Sequence, residues 1–219
     1  YEDNDIIVLD KPAGLVVHPA PGHPSETLVN GLLNRLPNLS NMDDGVRPGI
    51  IHRLDKNTSG LMAVAKNRFA HDYVAQQIKN RTVTKVYLAL VSGNIDHTDG
   101  IIRGPIGRDP NNRMRMAITT AGRESETRYE VMERYPGFTM LRVYPKTGRT
   151  HQIRVHFSSI GHPVVGDSTY GNKLTDFDRH FLHASELGFN LPSTKGYREF
   201  SSIMPDELLD FIDLSLIQT

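Results

Sequence analysis

Residues 51–66 read Ile51-His52-Arg53-Leu54-Asp55-Lys56-Asn57-Thr58-Ser59-Gly60-Leu61-Met62-Ala63-Val64-Ala65-Lys66, a charged cassette set between two apolar arms. Gly49-Ile50-Ile51 leads in and Leu61 to Ala65 leads out. Both arms read as interior strand, so His52, Arg53, Asp55 and Lys56 are expected at or near a core. Unpaired buried charge is costly and is rarely kept without a use. If Ile50 to Asp55 is extended, alternation sets Arg53 and Asp55 on one face and His52 and Leu54 on the other. A carboxylate then lies beside a guanidinium.

On either side of the cassette the chain alternates strand and helix without a linker. Asp5 to Leu9 reads as a short strand closed by Lys11-Pro12-Ala13-Gly14, and Ser25 to Leu36 as a helix with Ser25 as its N-cap. Leu61 to Ala65 is a strand, Arg68 to Lys79 an amphipathic helix, and Thr82 to Ser92 a strand stopped by Gly93. Ile101 to Arg103, Arg113 to Thr119, Ser125 to Arg134 and Phe138 to Tyr144 follow as strands in series, which implies antiparallel pairing. Thr150 to Ile160 reads as a helix, Leu187 to Asn190 and Tyr197 to Ser201 as strands, and a last helix starts near Pro205. The expected fold is α+β, a largely antiparallel mixed sheet with flanking helices, and no internal repeat interrupts it.

At 219 residues and 38% apolar, the chain can bury a real core and is neither disordered nor fibrous. The absence of Cys removes disulfides, thiolate catalysis and Cys-type zinc sites. No apolar run approaches the roughly 20 residues that span a bilayer, and the acidic start from Tyr1 to Asp5 does not resemble a signal peptide. A cytoplasmic protein that makes no membrane contact is expected. The start on Tyr1 rather than Met predicts a piece of a longer chain.

Lys and Arg (25) balance Asp and Glu (25), yet the charge is unevenly placed. Arg103 to Arg154 holds eleven Lys and Arg against five Asp and Glu, whereas Thr175 to Thr219 holds three against eight. Charges scattered over solvated faces and a polyanion-binding surface explain this equally well.

A second loaded segment is Tyr144 to Gly161. Lys146, Gly148 and Arg149 are expected in the turn before the helix, where backbone N–H groups and the positive dipole end favour phosphate or carboxylate. Within the helix His151, Arg154 and Val155 share a face at i, i+3 and i+4. An ordinary surface helix would look the same, but beside a buried Asp, Arg154 gains a specific task, the neutralisation of Asp55. Tyr87 lies on a strand whose alternation groups it with Lys85 and Ala89. A core Tyr and a ring that stacks on a flipped base are both open readings.

Five His (His52, His151, His156, His162, His183) suggest a metal site at first sight. His151 and His156 at i, i+5 lie about 140° apart around a helix, however, and helical metal pairs prefer i, i+3 or i, i+4. No metal is expected. These rings are read as hydrogen-bonding groups around a cleft, with His183 a buried structural imidazole.

Taken together the motifs resemble a family, the RluA/RluD-type pseudouridine synthases. The matching segments are His52-Arg53-Leu54-Asp55 with Thr58-Ser59-Gly60-Leu61, Lys85-x-Tyr87-x-Ala89, Thr147 to His156 and the opening Lys11 to Pro19. Gly161-His162-Pro163, Gly166-Asp167 and Phe181-Leu182-His183-Ala184 are similar too, and the motifs keep the family's order over essentially the whole chain. The resemblance implies the pseudouridine synthase fold with a central catalytic cleft and residues 1–219 as the catalytic domain. A small S4-like RNA-binding domain is expected ahead of it, as in many members.

The implied reaction isomerises uridine to pseudouridine in RNA and needs no cofactor. Asp55 would be the essential carboxylate, either trapping the cationic ribose at C1' or abstracting the C2' proton. Arg154 would keep Asp55 ionised, as a forked guanidinium does better than an ammonium. Tyr87 would stack on the target base, and Arg53 would fill the space left by the extruded nucleotide. Lys146, Arg149 and His151 are assigned to RNA. The expected partner is 23S ribosomal RNA, with transfer RNA as the alternative, and a monomer is expected. A non-catalytic RNA-binding module would not need Asp55, and a metal-dependent hydrolase would lose activity to chelators.

Overall fold

The structure, a computed structural model that describes residues 1–20, 22–41, 48–112, 114–171 and 177–213, divides into two units. One comprises Tyr1–Thr84 with Ala184–Ser202, and the other Lys85–His183 with the chain from Ile203 onward. In chain order the elements are β1 (Ile6–Lys11), α1 (Leu28–Arg35), a 3-10 turn at Pro37–Asn41, β2 (Ser59–Ala65), α2 (Arg68–Lys79) and β3 (Thr84–Ser92). Then come β4 (Asp99–Arg103), β5 (Ile106–Arg108), β6 (Met116–Ile118), β7 (Glu126–Tyr135), β8 (Phe138–Pro145), α3 (Gln152–Ser159), β9 (Leu182–Asn190), β10 (Tyr197–Ser201) and α4 (Asp206–Ile212). This is the α+β architecture with antiparallel pairing that the strand series implies. No helix among the described residues is long and apolar enough to cross a membrane.

In the first unit β1 pairs antiparallel with β2, from Ile6 opposite Ala65 to Lys11 opposite Gly60. β9 lies on the other side of β2 and carries β10 antiparallel at its edge. Every residue of β2 is buried, as a continuous apolar run bounded by turn residues should be. α2 packs on β2 and starts where the apolar period starts, with the Asn67 side chain accepting the Ala70 N–H at 2.9 Å.

The first helix departs from expectation. Glu26 adopts a left-handed φ of 59°, and Thr27, not Ser25, is the N-cap of α1. The Thr27 hydroxyl accepts the Asn30 N–H while the Asn30 side chain accepts the Thr27 N–H at 3.0 Å, a reciprocal capping box.

Gly60 shows how tightly the first unit closes. Its φ is 111°, and a Cβ there would fall 2.6 Å from the Ala184 nitrogen of β9. Gly60→Ala is expected to destabilise the protein by about 2–4 kcal/mol through backbone strain and overpacking. Urea unfolding would read this as a lower midpoint with an unchanged slope.

In the second unit β3, β8, β7 and β4 are neighbours in that order, with Tyr87 opposite Val143 and Tyr129 opposite both Val143 and Gly100. The core beneath them includes Leu90, Leu141, Phe157, Phe181 and Leu208. Phe157 of α3 meets Tyr129 edge-on at 5.4 Å, so α3 docks against the sheet. Gln152 to Phe157 are all buried, and the reading of this segment as an ordinary surface helix is wrong.

Its start is wrong too, since Thr150 and His151 precede the helix and His151 is its N-cap in a left-handed conformation, φ 55°. β5 and β6 form a separate hairpin in this unit. The strand read from Arg113 to Thr119 is only Met116–Ile118, and Arg113 lies outside the described residues. β9 begins at Leu182, five residues ahead of the expected strand.

Candidate active site

The Asp55 segment is not a strand. Ile50 makes a single bridge to Val64 and the chain from Ile51 to Asp55 is irregular, so the alternation argument for Arg53 and Asp55 does not apply. Burial is also less than the apolar arms suggest. Leu54 is buried, His52 and Asp55 are half-buried, and Arg53 and Lys56 are exposed. The turn that follows has the Thr58 N–H donating to the Asp55 carbonyl at 3.1 Å. Ahead of it, His52 Nε2 accepts the Ala63 N–H of β2 at 3.0 Å.

What holds this loop is Lys11, a residue that the sequence presents only as part of an opening motif. Lys11 ends β1 with no exposed surface. Its Nζ donates to the carbonyls of Pro12 (2.8 Å), Leu15 (3.0 Å) and Lys56 (3.0 Å). An ammonium has three donors, and three carbonyls offset much of its desolvation. The Lys56 carbonyl also takes the Gly14 N–H at 2.9 Å. The residue next to Asp55 is therefore tied to the Lys11–Leu15 segment by two bonds.

In the second unit the turn at Thr147 to Arg149 is built on Gln152, whose side chain is buried. Gln152 Oε1 accepts from the Thr147 hydroxyl (2.7 Å) and the Arg149 N–H (3.0 Å). Its amide donates to the Glu126 carbonyl (3.0 Å) and the Thr127 hydroxyl (2.9 Å). One of the backbone donors expected to face an anion is thus spent inside the turn. Lys146 is exposed and paired with Glu126 at 2.8 Å, which Arg103 joins at 2.7 Å. Lys146 first and Arg103 next bring the Glu126 carboxyl down to about 2. Arg149 is half-buried, with Nε donating to the Glu124 carbonyl at 3.2 Å.

Arg154 is buried, and its guanidinium grips Asp167 with two bonds, Nε to Oδ2 at 2.7 Å and Nη2 to Oδ1 at 2.9 Å. The side-chain exposures are 7% for Arg154 and 0% for Asp167. Burial alone would raise the Asp167 carboxyl, and the Arg154 fork overrides it, so the acid sits below its ordinary range. Asp167 Oδ1 also accepts the N–H groups of Thr169 (3.0 Å) and Tyr170 (3.1 Å). The two bonds make an Asx turn, and in the sequence this Asp is marked by the Gly166-Asp167 segment of the family resemblance. Tyr170 lies under the Arg154 and Arg115 guanidiniums, with their central carbons 5.0 and 5.1 Å from the ring centre. Its hydroxyl meets His151 Nδ1 at 2.8 Å and accepts the Met116 N–H at 2.8 Å.

Tyr87 is half-buried on β3 and packs against the core of the second unit. His156 is buried, with Nδ1 at 2.8 Å from the Thr127 hydroxyl and Nε2 at 2.9 Å from the Ser125 hydroxyl, and burial lowers its pKa. His183 is fully buried, in keeping with its reading as structural. His162 Nδ1 lies 2.9 Å from the Ser92 carbonyl. Among the described residues no three His, Asp or Glu are grouped as metal ligands.

The comparisons agree with this architecture. A solved human structure, RNA Pseudouridylate Synthase Domain Containing 1, superposes with a TM-score of 0.76 at 31% identity, covering 99% of this chain and 86% of that one. The fold is that of an RNA-modifying isomerase. A sequence model described as RNA pseudouridylate synthase matches residues 5–159, and with that match the chain belongs to the RNA pseudouridylate synthase family. Among its relatives, an uncharacterized RNA pseudouridine synthase, YlyB of Bacillus subtilis, is 49% identical over 97% of this chain and 71% of its own length. The Ribosomal large subunit pseudouridine synthase D of Pseudomonas aeruginosa is 44% identical over 98% of this chain and 70% of its own length.

Proposed function

We propose that this pseudouridine synthase acts on large-subunit ribosomal RNA, with Asp55 as its essential carboxylate. The near full-length similarity to the Pseudomonas enzyme, whose name gives the ribosomal large subunit as its object, carries the choice of RNA. The Lys11 anchor supports the choice of residue, because it fixes the backbone beside a half-buried acid in a loop that makes no other element.

In the reaction the N1–C1' bond of uridine breaks, the uracil turns, C5 bonds to C1', the C5 proton is lost and N1 regains one. Atoms and electrons balance without an oxidant or a second substrate. Asp55 serves either as the nucleophile that traps C1' or as the base that removes the C2' proton. Arg154 is assigned the charge that keeps Asp55 ionised, and Tyr87 the aromatic face on which the uracil stacks. Arg53, exposed on the loop, is assigned to the space vacated by the flipped nucleotide. Lys146, Arg149 and His151 are assigned to the RNA around it. With ribosomal RNA as substrate the protein is assigned to the cytoplasm, and it is assigned a monomeric state.

The test is to map pseudouridines in 23S ribosomal RNA and transfer RNA of the source organism with and without the gene. Loss of one or a few 23S positions is expected. Loss confined to transfer RNA would reassign the substrate, and an unchanged map would leave a non-catalytic RNA-binding module.

A further inference from the structure

Lys85 is the second residue of β3, on the same strand as Tyr87 and two residues before it. Its side chain is half-buried, and among the described residues no carboxylate or carbonyl answers its ammonium. Burial is the sole influence on its titration, and it lowers the pKa. Several other basic residues of this unit have a carboxylate partner: Lys146 and Arg103 share Glu126, Arg128 has Glu130, Arg154 has Asp167 and Arg179 has Glu207. A desolvated ammonium without a counter-charge destabilises the folded protein.

The ground in front of Lys85 is open. Gly148 is exposed, and a Cβ built on it would meet, apart from its own chain neighbours and among the described residues, only Lys85 Nζ, at 4.0 Å. The backbone of Gly148 is not in the left-handed region, so nothing in its conformation demands glycine. What the glycine provides is room for a group next to the ammonium.

We infer that Lys85 and the surface at Gly148 form a seat for one RNA phosphate, occupied when the target nucleotide binds. This rests on the reading of the chain as an enzyme acting on ribosomal RNA, and it assigns to Lys85 the phosphate contact that Lys146, held by Glu126, makes less readily. A phosphodiester oxygen supplies the charge that Lys85 lacks and reaches it without displacing any protein contact.

The experiment measures pseudouridine formation on an unmodified 23S transcript across a range of salt for wild type, Lys85→Met, Lys85→Arg and Gly148→Val. Lys79→Met, at an exposed position on α2, is the control. Lys85→Met is expected to raise KM about tenfold, to leave the single-turnover rate at saturating RNA within about twofold, and to reduce the slope of log(kcat/KM) against log(salt) by about one. Lys85→Arg keeps the slope. Gly148→Val raises KM with the slope also reduced, and Lys79→Met changes neither.

Since Lys85→Met removes an unmatched charge, its Tm is expected to equal or exceed that of wild type. A fall in Tm, or an unaltered salt slope, overturns the seat. The same slopes read from RNA binding by proteins that also carry Asp55→Asn need no turnover. They distinguish failure of this contact from failure of the catalytic assignment.

Discussion

Asp55→Asn is expected to reduce pseudouridine formation at least about a thousandfold while RNA affinity stays within about twofold. The amide is nearly isosteric with the carboxylate, so the turn closed by the Asp55 carbonyl and the Thr58 N–H should persist. Only the negative charge is lost, and with it both the nucleophile and the base. Because the C5 hydrogen must leave when C5 joins C1', release of tritium from RNA labelled at uridine C5 measures turnover directly. A variant that still released tritium at the wild-type rate would show that another group carries the chemistry.

Asp167→Asn is expected to produce the largest loss of stability, about 3–5 kcal/mol, because it removes a fully buried carboxylate that grips the buried Arg154 guanidinium with two bonds. The asparagine can still accept the Thr169 and Tyr170 N–H groups through its oxygen, so the loss isolates the charge pair. Its pH dependence follows from the depressed carboxyl. A folded-state pKa below the unfolded one adds stability that is complete above the unfolded value, near 4, and is lost as the pH falls through the folded value. The gap between wild type and Asp167→Asn in chemical unfolding should therefore be full at pH 7 and narrow below about pH 4. A gap that persists undiminished at pH 2 would mean that packing, not charge, makes the contribution. Activity should fall along with stability, since two of the bonds that orient the Arg154 guanidinium come from Asp167.

Local patterns in the sequence predicted the elements that local forces decide. α2 runs from Arg68 to Lys79 as its amphipathic period and Asn67 cap dictate, and β10 covers Tyr197–Ser201 as the alternating run does. The Asp55 loop departs from expectation because apolar neighbours predict a strand and the chain makes none. The apolar residues are buried as expected, but the chain between them is held by Lys11 and by the His52 ring rather than by a ladder.

Residues that define the site through distant partners left little trace. Lys11 reaches Lys56, 45 positions away, and Arg154 reaches Asp167, 13 positions away. Neither periodicity nor propensity encodes such pairings. Gln152 lies in the Thr147 to His156 motif, yet its work as a four-bonded strut beneath the Thr147 turn shows only when β7 and α3 are in place. The same holds for the charge asymmetry: several of the cations that made the Arg103–Arg154 stretch look like an RNA surface are already matched by acids in the folded chain.

The triple grip of Lys11 has a mechanical corollary. β1 is an outer strand of its unit, with β2 on one side, and one amine joins its end to the backbone beside Asp55. Slack at the margin of β1 is thereby transmitted to the carboxylate proposed to react, and with Asp55 in that role a nick or a slipped register in the opening residues would blunt the chemistry long before the rest of the sheet loosened.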